Sequence, residues 1–371
     1  MSKKIIYLVT EDYYFLSHRL PIAKAALSNG YEVVVATHIT AGKELIEKEG
    51  IRVIPTLFGR SNKNIGFQIK SFIQLVLIFR REKPKLVHCV ALKSVLFGNI
   101  AARIAGVKDL INTIAGLGLI FTDERKKYQI FSWVARISAR ALLSRPRTVT
   151  IVQNSDDLSE LKKMVFSADV VLIKGSGVDC DRFVPSPEPK GPIVVSLIAR
   201  MIAHKGIFEF IEASRILKQR GLHIVFQLVG GVDYGYDANI SEKQIRSWES
   251  GNLVRWLGQR GDIVEVIKRS HIIALPSYRE GLPKALLEAA ASGRPMVAFD
   301  TPGCREVVLD GLTGFLVKAK DAIALADAIQ RLASDAMIRH RMGTMARRLA
   351  CDQFSNQRIA ELTLDIYKSV L

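Results

Sequence analysis

Short apolar runs of strand-like composition alternate with helix-like segments along the chain, and this alternation restricts the fold more than any other feature. The first cycles read IIYLVT, a helical stretch from about His18 to Ser28, EVVVAT, a helical stretch through Leu45, and RVI. Strict alternation is typical of βαβ units, whose strands lie parallel in one sheet. Further strands are predicted at LVHCV, DLINTI, TVTIVQ and DVVLI. The first half therefore predicts one doubly wound α/β domain.

A proline-rich segment at 185–192, PSPEPKGP, interrupts the alternation. Proline fixes φ and lacks an amide donor, so the segment suits a linker. The runs IVVSLIA, HIVFQLVG, VRWLG, HIIALPS, PMVAF and GFLVKA repeat the pattern after it. We predict Rossmann-like domains at 1–184 and 193–350, facing each other across a cleft, with a terminal helix at 351–371 packing back on the first. Open α/β sheets bind ligands outside the carboxyl ends of their strands, so the active site is expected in that cleft.

The composition argues against several classes of protein. Cys89, Cys180, Cys304 and Cys351 form no CxxC pair, so neither a disulfide framework nor a zinc site is expected. The apolar run after the first two lysines is too short for a signal peptide, and the most apolar later stretch, 65–79, is broken by polar residues. Neither export nor a transmembrane helix is expected, because a spanning helix needs about 20 apolar residues.

Positive charge is concentrated in the first half of the chain. Residues 1–190 hold 29 Lys and Arg against 17 Asp and Glu, within a formal net charge of +17 for the whole chain. Arg60 to Lys85 has seven basic residues and one acid, and Arg125 to Arg147 has seven and none. Such a field favours nucleic acid, anionic lipid or phosphorylated ligands. A solvated surface tuned for solubility is the alternative explanation.

The densest group of polar and small residues lies between Tyr278 and Val317. After the predicted strand HIIALPS, the chain turns through EGLP at 280–283 and enters a helix that carries Glu288. Proline suits the first helical turn, and the turn and the helix start offer amide donors to phosphate or hydroxyl oxygens. Two solvated surface glutamates are the alternative explanation.

A second group, ARMIAHKG, follows the first strand of the second domain. Arg200 and Lys205 are expected near the carboxyl end of that strand, where a guanidinium fork and an ammonium can together neutralise a diphosphate. An exposed basic turn is the alternative. Both groups fall at strand ends of the same domain, which favours a shared function.

These motifs resemble the retaining GT-B glycosyltransferases of family four, in particular members that build bacterial surface polysaccharides and O-antigen. The resemblance is carried by Arg200 and Lys205, by the E-G-L-P-x4-E pattern, by GSGVD at 175–179 and by PGCREVVLDGLTGFLV from Pro302. It extends over nearly the whole chain. It implies an N-terminal acceptor-binding domain and a C-terminal domain that binds a nucleotide-sugar donor, UDP-linked in our prediction.

The resemblance also implies roles for individual residues. Arg200 and Lys205 would bind the donor diphosphate and stabilise the leaving group without a metal or other cofactor. Glu280 would contact hydroxyls of the donor sugar, and Glu288 would bind the ribose hydroxyls. The catalytic set is thus Glu280, Arg200 and Lys205. Further donor contacts are expected from Gly281, Leu282 and Pro283, with Glu306 as a weaker candidate.

In the first domain, FLSHRLP at 15–21 and AGLG at 115–118 resemble the same members. They mark His18, Arg19, Gly116 and Gly118 as acceptor or cleft candidates, although a histidine at a helix start is as often a cap or a packing residue. Two departures from the family pattern occur here. EDYY at 11–14 replaces the glycine-rich turn of many relatives, and Ala115 stands where many have histidine.

The function expected from this resemblance is retaining sugar transfer to a saccharide linked to polyprenyl diphosphate. The enzyme is expected to lie peripherally on the cytoplasmic face of the inner membrane, held on anionic lipid by its basic segments. A helix from Gln129 would place on the lipid side Trp133, Arg136, Ile137, Arg140 and Leu143 or Ser144, or else pack on the sheet as an ordinary amphipathic helix.

Two alternatives belong to other functional classes. A nucleotide-sugar epimerase of the GT-B fold would share the donor site, but such enzymes normally lack the two glutamates separated by seven residues. A nucleic-acid-binding module would explain the charge, but the chain has no helix-turn-helix, RNP-type or zinc signature. We therefore expect no nucleic acid among the partners.

Overall fold

The chain forms two compact units in the computed structural model, which describes residues 3–59, 64–116, 140–165, 169–235 and 238–371. Met1–Gly177 and Asn356–Leu371 together form the first unit, and Val178–Ser355 form the second. Each unit contains a parallel β-sheet. Two doubly wound Rossmann-like units confirm the predicted fold class.

Strands and helices alternate along the described chain as the sequence predicted. The strands are β1 (Lys4–Glu11), β2 (Glu32–His38), β3 (Arg52–Pro55), β4 (Leu86–Val90), β5 (Asp109–Ile114), β6 (Thr148–Val152), β7 (Asp169–Leu172), β8 (Ile193–Ile198), β9 (Ile224–Val229), β10 (Arg255–Trp256), β11 (Ile272–Leu275), β12 (Met296–Phe299) and β13 (Gly314–Val317). The helices are α1 (Asp12–His18), α2 (Leu20–Ser28), α3 (Lys43–Glu47), α4 (Ile65–Glu82), α5 (Leu92–Ile104), α6 (Ser155–Met164), α7 (Ile207–Gln219), α8 (Glu242–Ser250), α9 (Ile263–Lys268), α10 (Lys284–Ala291), α11 (Cys304–Val307), α12 (Ala322–Ser334), α13 (Ala336–Phe354) and α14 (Asn356–Val370).

The first sheet has the strand order β3-β2-β1-β4-β5-β6-β7. Side chains of β1 alternate between two buried layers: Ile6 and Leu8 face one hydrophobic cluster, and Ile5 and Tyr7 face the other. Burial on both faces explains why these strands are continuous apolar runs in the sequence instead of alternating with polar residues.

The second sheet has the strand order β10-β9-β8-β11-β12-β13. Its winding reverses between β8 and β11, which are neighbours in the sheet and pair Val195 with Ile272 and Ser196 with Ile273. Ligands of open α/β sheets bind outside the carboxyl ends of the strands at such a reversal. The topology therefore places a candidate site where β8 and β11 end.

The proline-rich segment 185–192 was predicted as the linker, but the structure packs it against the second unit. Arg339 donates to both carboxylate oxygens of Glu188 at 2.7 and 2.8 Å. Nη2 of Arg294 donates to the carbonyl oxygen of Pro187 at 3.2 Å. Proline lacks an amide donor but keeps its carbonyl acceptor, so buried arginines can hold the segment in place. The units instead divide at Gly177, before this segment.

The C-terminal helix belongs to the first unit. The predicted start at residue 351 is wrong, because α13 continues to Phe354 and α14 begins at Asn356. The chain passes through a close contact where the units divide, since a Cβ on Gly177, whose φ is +90°, would lie 2.9 Å from the Asn356 Cα. A glycine is therefore required at this position.

A buried polar network fixes α14 to the first sheet. The Tyr367 hydroxyl lies 2.5 Å from the Tyr7 hydroxyl and 2.7 Å from His88 Nδ1, and His88 Nε2 lies 2.7 Å from Thr113 Oγ1. Burial raises the pKa of Tyr7 to about 12 and lowers the pKa of His88 well below its ordinary value. The network is therefore uncharged at neutral pH, and Tyr367 is its central member.

Within the described residues, no helix is long and apolar enough to cross a membrane.

Replacing Tyr367 with phenylalanine should destabilise the first unit. The Tyr7 hydroxyl and His88 Nδ1 would each lose a buried partner, and such groups cost about 1–3 kcal/mol when left unsatisfied. Urea denaturation of the parent and of Tyr367→Phe measures the difference in the free energy of unfolding. Tyr234→Phe is the matched control, because Tyr234 is largely exposed. Equal stabilities of parent and Tyr367→Phe would contradict the role assigned to the network.

Candidate active site

The candidate site lies at the carboxyl ends of β8 and β11, where the winding of the second sheet reverses. Arg200 and Lys205 follow β8, and the segment from Pro276 to Pro283 follows β11. The ammonium of Lys205 forms an ion pair with Glu280 Oε1, and both side chains are largely buried. The structure therefore brings together two predicted site residues that are 75 positions apart in sequence.

A backbone contact holds these two segments together. Ala203–Lys205 form a single 3-10 turn that ends at Gly206, whose φ is +71°. A Cβ on Gly206 would lie 1.9 Å from the carbonyl oxygen of Pro276, so only glycine fits. Beside this contact, the Tyr278 amide donates to the His204 carbonyl oxygen at 2.9 Å. The position of Lys205 relative to Glu280 is thus set by the main chain.

Arg200 pairs with Asp233, which follows β9. Next to this ion pair, Gly230 has a φ of +146°, and a Cβ there would lie 1.8 Å from the Ala199 carbonyl oxygen. Neither Asp233 nor Gly230 was predicted as a site residue from the sequence. The available signal was the VGGVD sequence that follows β9, since a double glycine at a strand end indicates a close approach of the backbone.

Glu288 lies in α10, one helical turn after Lys284, with 3.8 Å between its Oε1 and Lys284 Nζ. The Glu288 side chain is only 13% exposed. Burial raises its pKa to about 7, against the opposing effect of the Lys284 and Arg182 charges. Burial also lowers the pKa of Lys284. The carboxyl group of Glu288 can therefore exchange a proton near neutral pH, and Lys284 is an addition to the predicted site.

The turn formed by Gly281, Leu282 and Pro283 leads directly into α10. The Pro283 carbonyl oxygen accepts from the Leu287 amide at 3.2 Å, so Pro283 lies just before the helix. A neighbouring loop supports this turn, because a Cβ on Gly303 would lie 2.6 Å from the Gly281 carbonyl oxygen.

Glu306, the weaker candidate, is buried in the short helix α11 that follows this supporting loop.

Among the acceptor or cleft candidates of the first unit, His18 contacts its own neighbours in sequence. His18 ends α1 and stacks on Tyr14, with 4.2 Å between ring centroids and parallel planes. Its Nδ1 lies 2.6 Å from Ser17 Oγ. These contacts fit the packing alternative for His18. Gly116 has a φ of +100°, which any side chain would oppose, and Gly118 lies outside the described residues.

Arg19 is only 2% exposed, so the structure places it inside the first unit. Its Nε and Nη2 atoms have no hydrogen-bond partner among the described residues. Its charge acts on the buried hydroxyls of Tyr7 and Tyr367 and on His88. Its position in the sequence suggested an acceptor or cleft residue, whereas the structure buries its side chain.

The segment EDYY at 11–14 forms no loop, because β1 ends at Glu11 and α1 begins at Asp12, whose side chain binds the loop after β2. Oδ2 of Asp12 accepts from the amides of Thr40, Ala41 and Gly42 at 2.8, 3.1 and 2.7 Å. Burial opposes ionisation of this carboxyl, but the hydrogen bonds from Thr40 and Gly42 outweigh it and lower the pKa of Asp12. An ionised aspartate thus ties the end of β1 to the end of β2.

Among the residues that the structure describes, no cluster of three or more His, Cys, Asp or Glu has a geometry that would hold a metal ion. Of the helix predicted from Gln129, residues 129–139, with Trp133, Arg136 and Ile137, lie outside the described residues. Residues 140–143 are helical, and Leu143 is buried in the hydrophobic core, which fits the packing alternative at this end of the helix.

Two family models match this chain. Residues 181–349 match the glycosyl transferases group 1, and residues 4–153 match the glycosyl transferase 4-like family. Together the two models span most of both structural units.

Curated relatives carry related names. The N,N'-diacetylbacillosaminyl-diphospho-undecaprenol alpha-1,3-N-acetylgalactosaminyltransferase of Campylobacter jejuni is 30% identical over 380 residues, which cover 96% of this chain and 98% of the relative. The UDP-Gal:alpha-D-GlcNAc-diphosphoundecaprenol alpha-1,3-galactosyltransferase of Escherichia coli is 25% identical over 298 residues, which cover 77% of this chain and 75% of the relative.

Solved structures show the same fold at lower sequence identity. Anabaena HepE, crystallised with UDP and glucose, superposes with a TM-score of 0.80 at 21% identity, covering 99% of this chain and 100% of that one. Sucrose-phosphate synthase of Thermosynechococcus elongatus gives 0.82 at 19% identity, covering 99% of each chain. The family models and the full-length relative agree with the motifs at the ends of β8 and β11: the chain belongs to the group 1 glycosyltransferases of family four, enzymes of the GT-B fold.

Proposed function

We propose that this enzyme transfers a sugar from a UDP-linked donor, with retention of configuration, to a saccharide carried on polyprenyl diphosphate. The second unit binds the donor and the first unit binds the acceptor. The observation that carries the proposal is the buried Lys205–Glu280 pair, with Arg200 following the same strand end. The cations at this strand end can bind a diphosphate, and the carboxylate can accept hydrogen bonds from sugar hydroxyls.

Arg200 and Lys205 stabilise the charge that develops on the leaving diphosphate. An ammonium has three donors, so Lys205 can keep its bond to Glu280 while donating to phosphate oxygens. The partly buried position strengthens this interaction relative to water. Glu280 accepts from hydroxyls of the donor sugar, and Glu288 accepts from the two ribose hydroxyls. This electrostatic role is one that a bound metal ion fills in other transferases, so we propose that no metal or other cofactor is required.

Retention follows if the acceptor hydroxyl attacks the anomeric carbon from the face that the diphosphate leaves. The bond from the anomeric carbon to the diphosphate oxygen breaks, a bond to the acceptor oxygen forms, and the hydroxyl proton passes to the departing phosphate. No protein nucleophile is needed in this scheme. The names of both relatives specify alpha-1,3 products, and an α-product from an α-linked donor requires retention.

The acceptor class is suggested by the same two relatives, whose names specify sugars on diphosphoundecaprenol. A third full-length relative, at 24% identity, is a capsular polysaccharide biosynthesis glycosyltransferase of Staphylococcus aureus. We therefore assign this chain to the assembly of a bacterial surface polysaccharide such as the O-antigen of lipopolysaccharide. A nucleotide-sugar donor and a polyprenyl acceptor meet at the cytoplasmic face of the inner membrane, where we place the enzyme as a peripheral protein on anionic lipid.

Transfer predicts that free nucleotide is released only when an acceptor is present. A thermal-shift screen of UDP, GDP, ADP and their sugars first identifies the donor, because a ligand at 100 times its dissociation constant adds about 2.7 kcal/mol of stability. The chosen donor is then incubated with and without a saccharide-diphospho-lipid. A sugar isomerised without an acceptor would instead indicate the epimerase.

Matched variants show whether the site performs this reaction. Lys205→Met removes the charge but keeps the length of the side chain, and loss of one such group typically costs about 100-fold to 1,000-fold in turnover. Lys190→Met is the control, because Lys190 is an exposed lysine of the same unit. Equal activity of Lys205→Met and the control would exclude the proposed diphosphate role.

Binding of UDP-galactose should weaken as the pH falls through the raised pKa of Glu288, about 7. Only the carboxylate accepts both ribose hydroxyls, so protonation removes the interaction, and the dissociation constant should rise about tenfold between pH 8 and pH 6. Titration calorimetry measures it. An intact nucleotide sugar is used because its diphosphate does not titrate in this range.

Two substitutions distinguish the role of Glu288 from the role of Glu280. Glu288→Gln should bind UDP-galactose more weakly and with little pH dependence. Glu280→Gln should lower turnover and leave nucleotide binding nearly unchanged. Glu265→Gln, at an exposed position of the second unit, is the control. A Glu288→Gln variant that keeps the pH dependence of the parent would rule out the ribose assignment.

Transfer should continue in excess EDTA at close to the untreated rate, because Arg200 and Lys205 carry the positive charge that a metal would otherwise supply. The rate of nucleotide release is measured before and after chelation. Complete loss of activity that magnesium or manganese restores would show that the reaction depends on a metal.

A further inference from the structure

Helix α4 of the first unit presents an apolar stripe to solvent. Ile65, Ile69, Ile73 and Leu77 are spaced four residues apart and are each between 52% and 76% exposed. Residues four apart lie on the same side of an α-helix, so the stripe follows the helix for about three turns. Single exposed apolar residues are ordinary, but a continuous row indicates an interaction surface.

The opposite side of α4 is already packed, so the stripe is not a second core-facing surface. Leu75, Ile78 and Phe79 lie in the hydrophobic core of the first unit. At the end of the helix, Nη2 of Arg80 donates to the carbonyl oxygen of Ile104 at 3.5 Å, which joins α4 to the end of α5.

The exposed charges of α4 itself are all basic. Lys70, Arg80 and Arg81 are exposed on α4. The one acid in the helix, Glu82, has a side chain only 8% exposed and pairs with Lys4 and Arg52. The hydrogen bond from Arg52 lowers the pKa of Glu82 to about 2, so it remains ionised and paired. The exposed side of α4 thus combines isoleucine, leucine, lysine and arginine without a carboxylate.

We infer that the exposed side of α4 is a docking surface for an anionic lipid bilayer. The helix lies in the plane of the interface, its isoleucines and leucine enter the boundary between headgroups and acyl chains, and its basic residues contact lipid phosphates. The occupant is assigned from charge complementarity. The proposal deepens the proposed function, because a polyprenyl-linked acceptor is reached only at a bilayer surface. Helix α4 lies within the basic segment from Arg60 to Lys85, for which the sequence predicted contact with anionic lipid, and its exposed apolar row is the observation that only the structure supplies.

Vesicle flotation tests the surface directly with the full chain. The parent should bind vesicles of phosphatidylcholine and phosphatidylglycerol at least tenfold more strongly than vesicles of phosphatidylcholine alone, and high salt should weaken the binding. Ile69→Ser/Ile73→Ser/Leu77→Ser and Lys70→Gln/Arg80→Gln/Arg81→Gln should each lose at least tenfold. Ile323→Ser/Met337→Ser is the matched control, because both residues are exposed apolar positions of the second unit. Binding of the serine variant at the level of the parent would overturn the inference.

A fluorescent reporter gives a second measurement that does not require loss of function. The emission of Ile73→Trp should shift to the blue on anionic vesicles, whereas the emission of Ile323→Trp should not change. The same emission from Ile73→Trp with and without vesicles would also overturn the inference. If the parent is a dimer that the serine variant dissociates, while vesicle binding persists, the stripe is a protein interface and the inference is wrong.

Activity assays distinguish this inference from the proposed function. The serine variant should transfer sugar to a water-soluble saccharide-diphosphate acceptor at the rate of the parent, and should lose at least tenfold with an acceptor embedded in vesicles. Equal rates with both acceptors would refute the docking surface alone. No transfer by the parent to either acceptor would refute the proposed function and leave the flotation result to be judged separately.

Discussion

The close contact between Gly206 and the Pro276 carbonyl oxygen is the constraint on which the candidate active site depends. It presses the start of α7 against the end of β11 without any intervening side chain. Lys205 and Glu280 meet because the residues on either side of this contact have no freedom to separate. A methyl group at position 206 would push the two segments apart and separate Lys205 from Glu280. The ion pair therefore depends on the main-chain contact.

The two units differ in how their loops are held together at the point where the strand order of each sheet reverses. In the second unit, glycines at positions 206, 230 and 303 let three loops approach one another as bare backbone. In the first unit, the ionised carboxylate of Asp12 gathers three amides of the loop after β2. The first unit therefore holds its loop through a buried charge, and the second unit holds its loops through the absence of side chains.

Local sequence patterns predicted the fold class and most strands, because apolar periodicity and βαβ alternation are properties of short segments. They also marked Arg200, Lys205, Glu280 and Glu288. What they missed depends on contacts between distant segments: Asp233 beside Arg200, and the extent of each unit. The proline-rich segment has linker composition, yet buried arginines hold its carbonyl groups, and no local pattern reveals those partners. Exposure of the α4 stripe likewise depends on how the whole helix packs.

The division of the first unit between the two ends of the chain has a consequence for biosynthesis. Tyr367 supplies the hydroxyl that joins Tyr7 to His88, and it is translated after the whole of the second unit. The second unit, continuous in sequence, can complete its fold while the first still lacks a helix. An emerging chain therefore exposes the α14-binding face of its first sheet until α14 has been translated, which makes that face a natural target for chaperones on the ribosome.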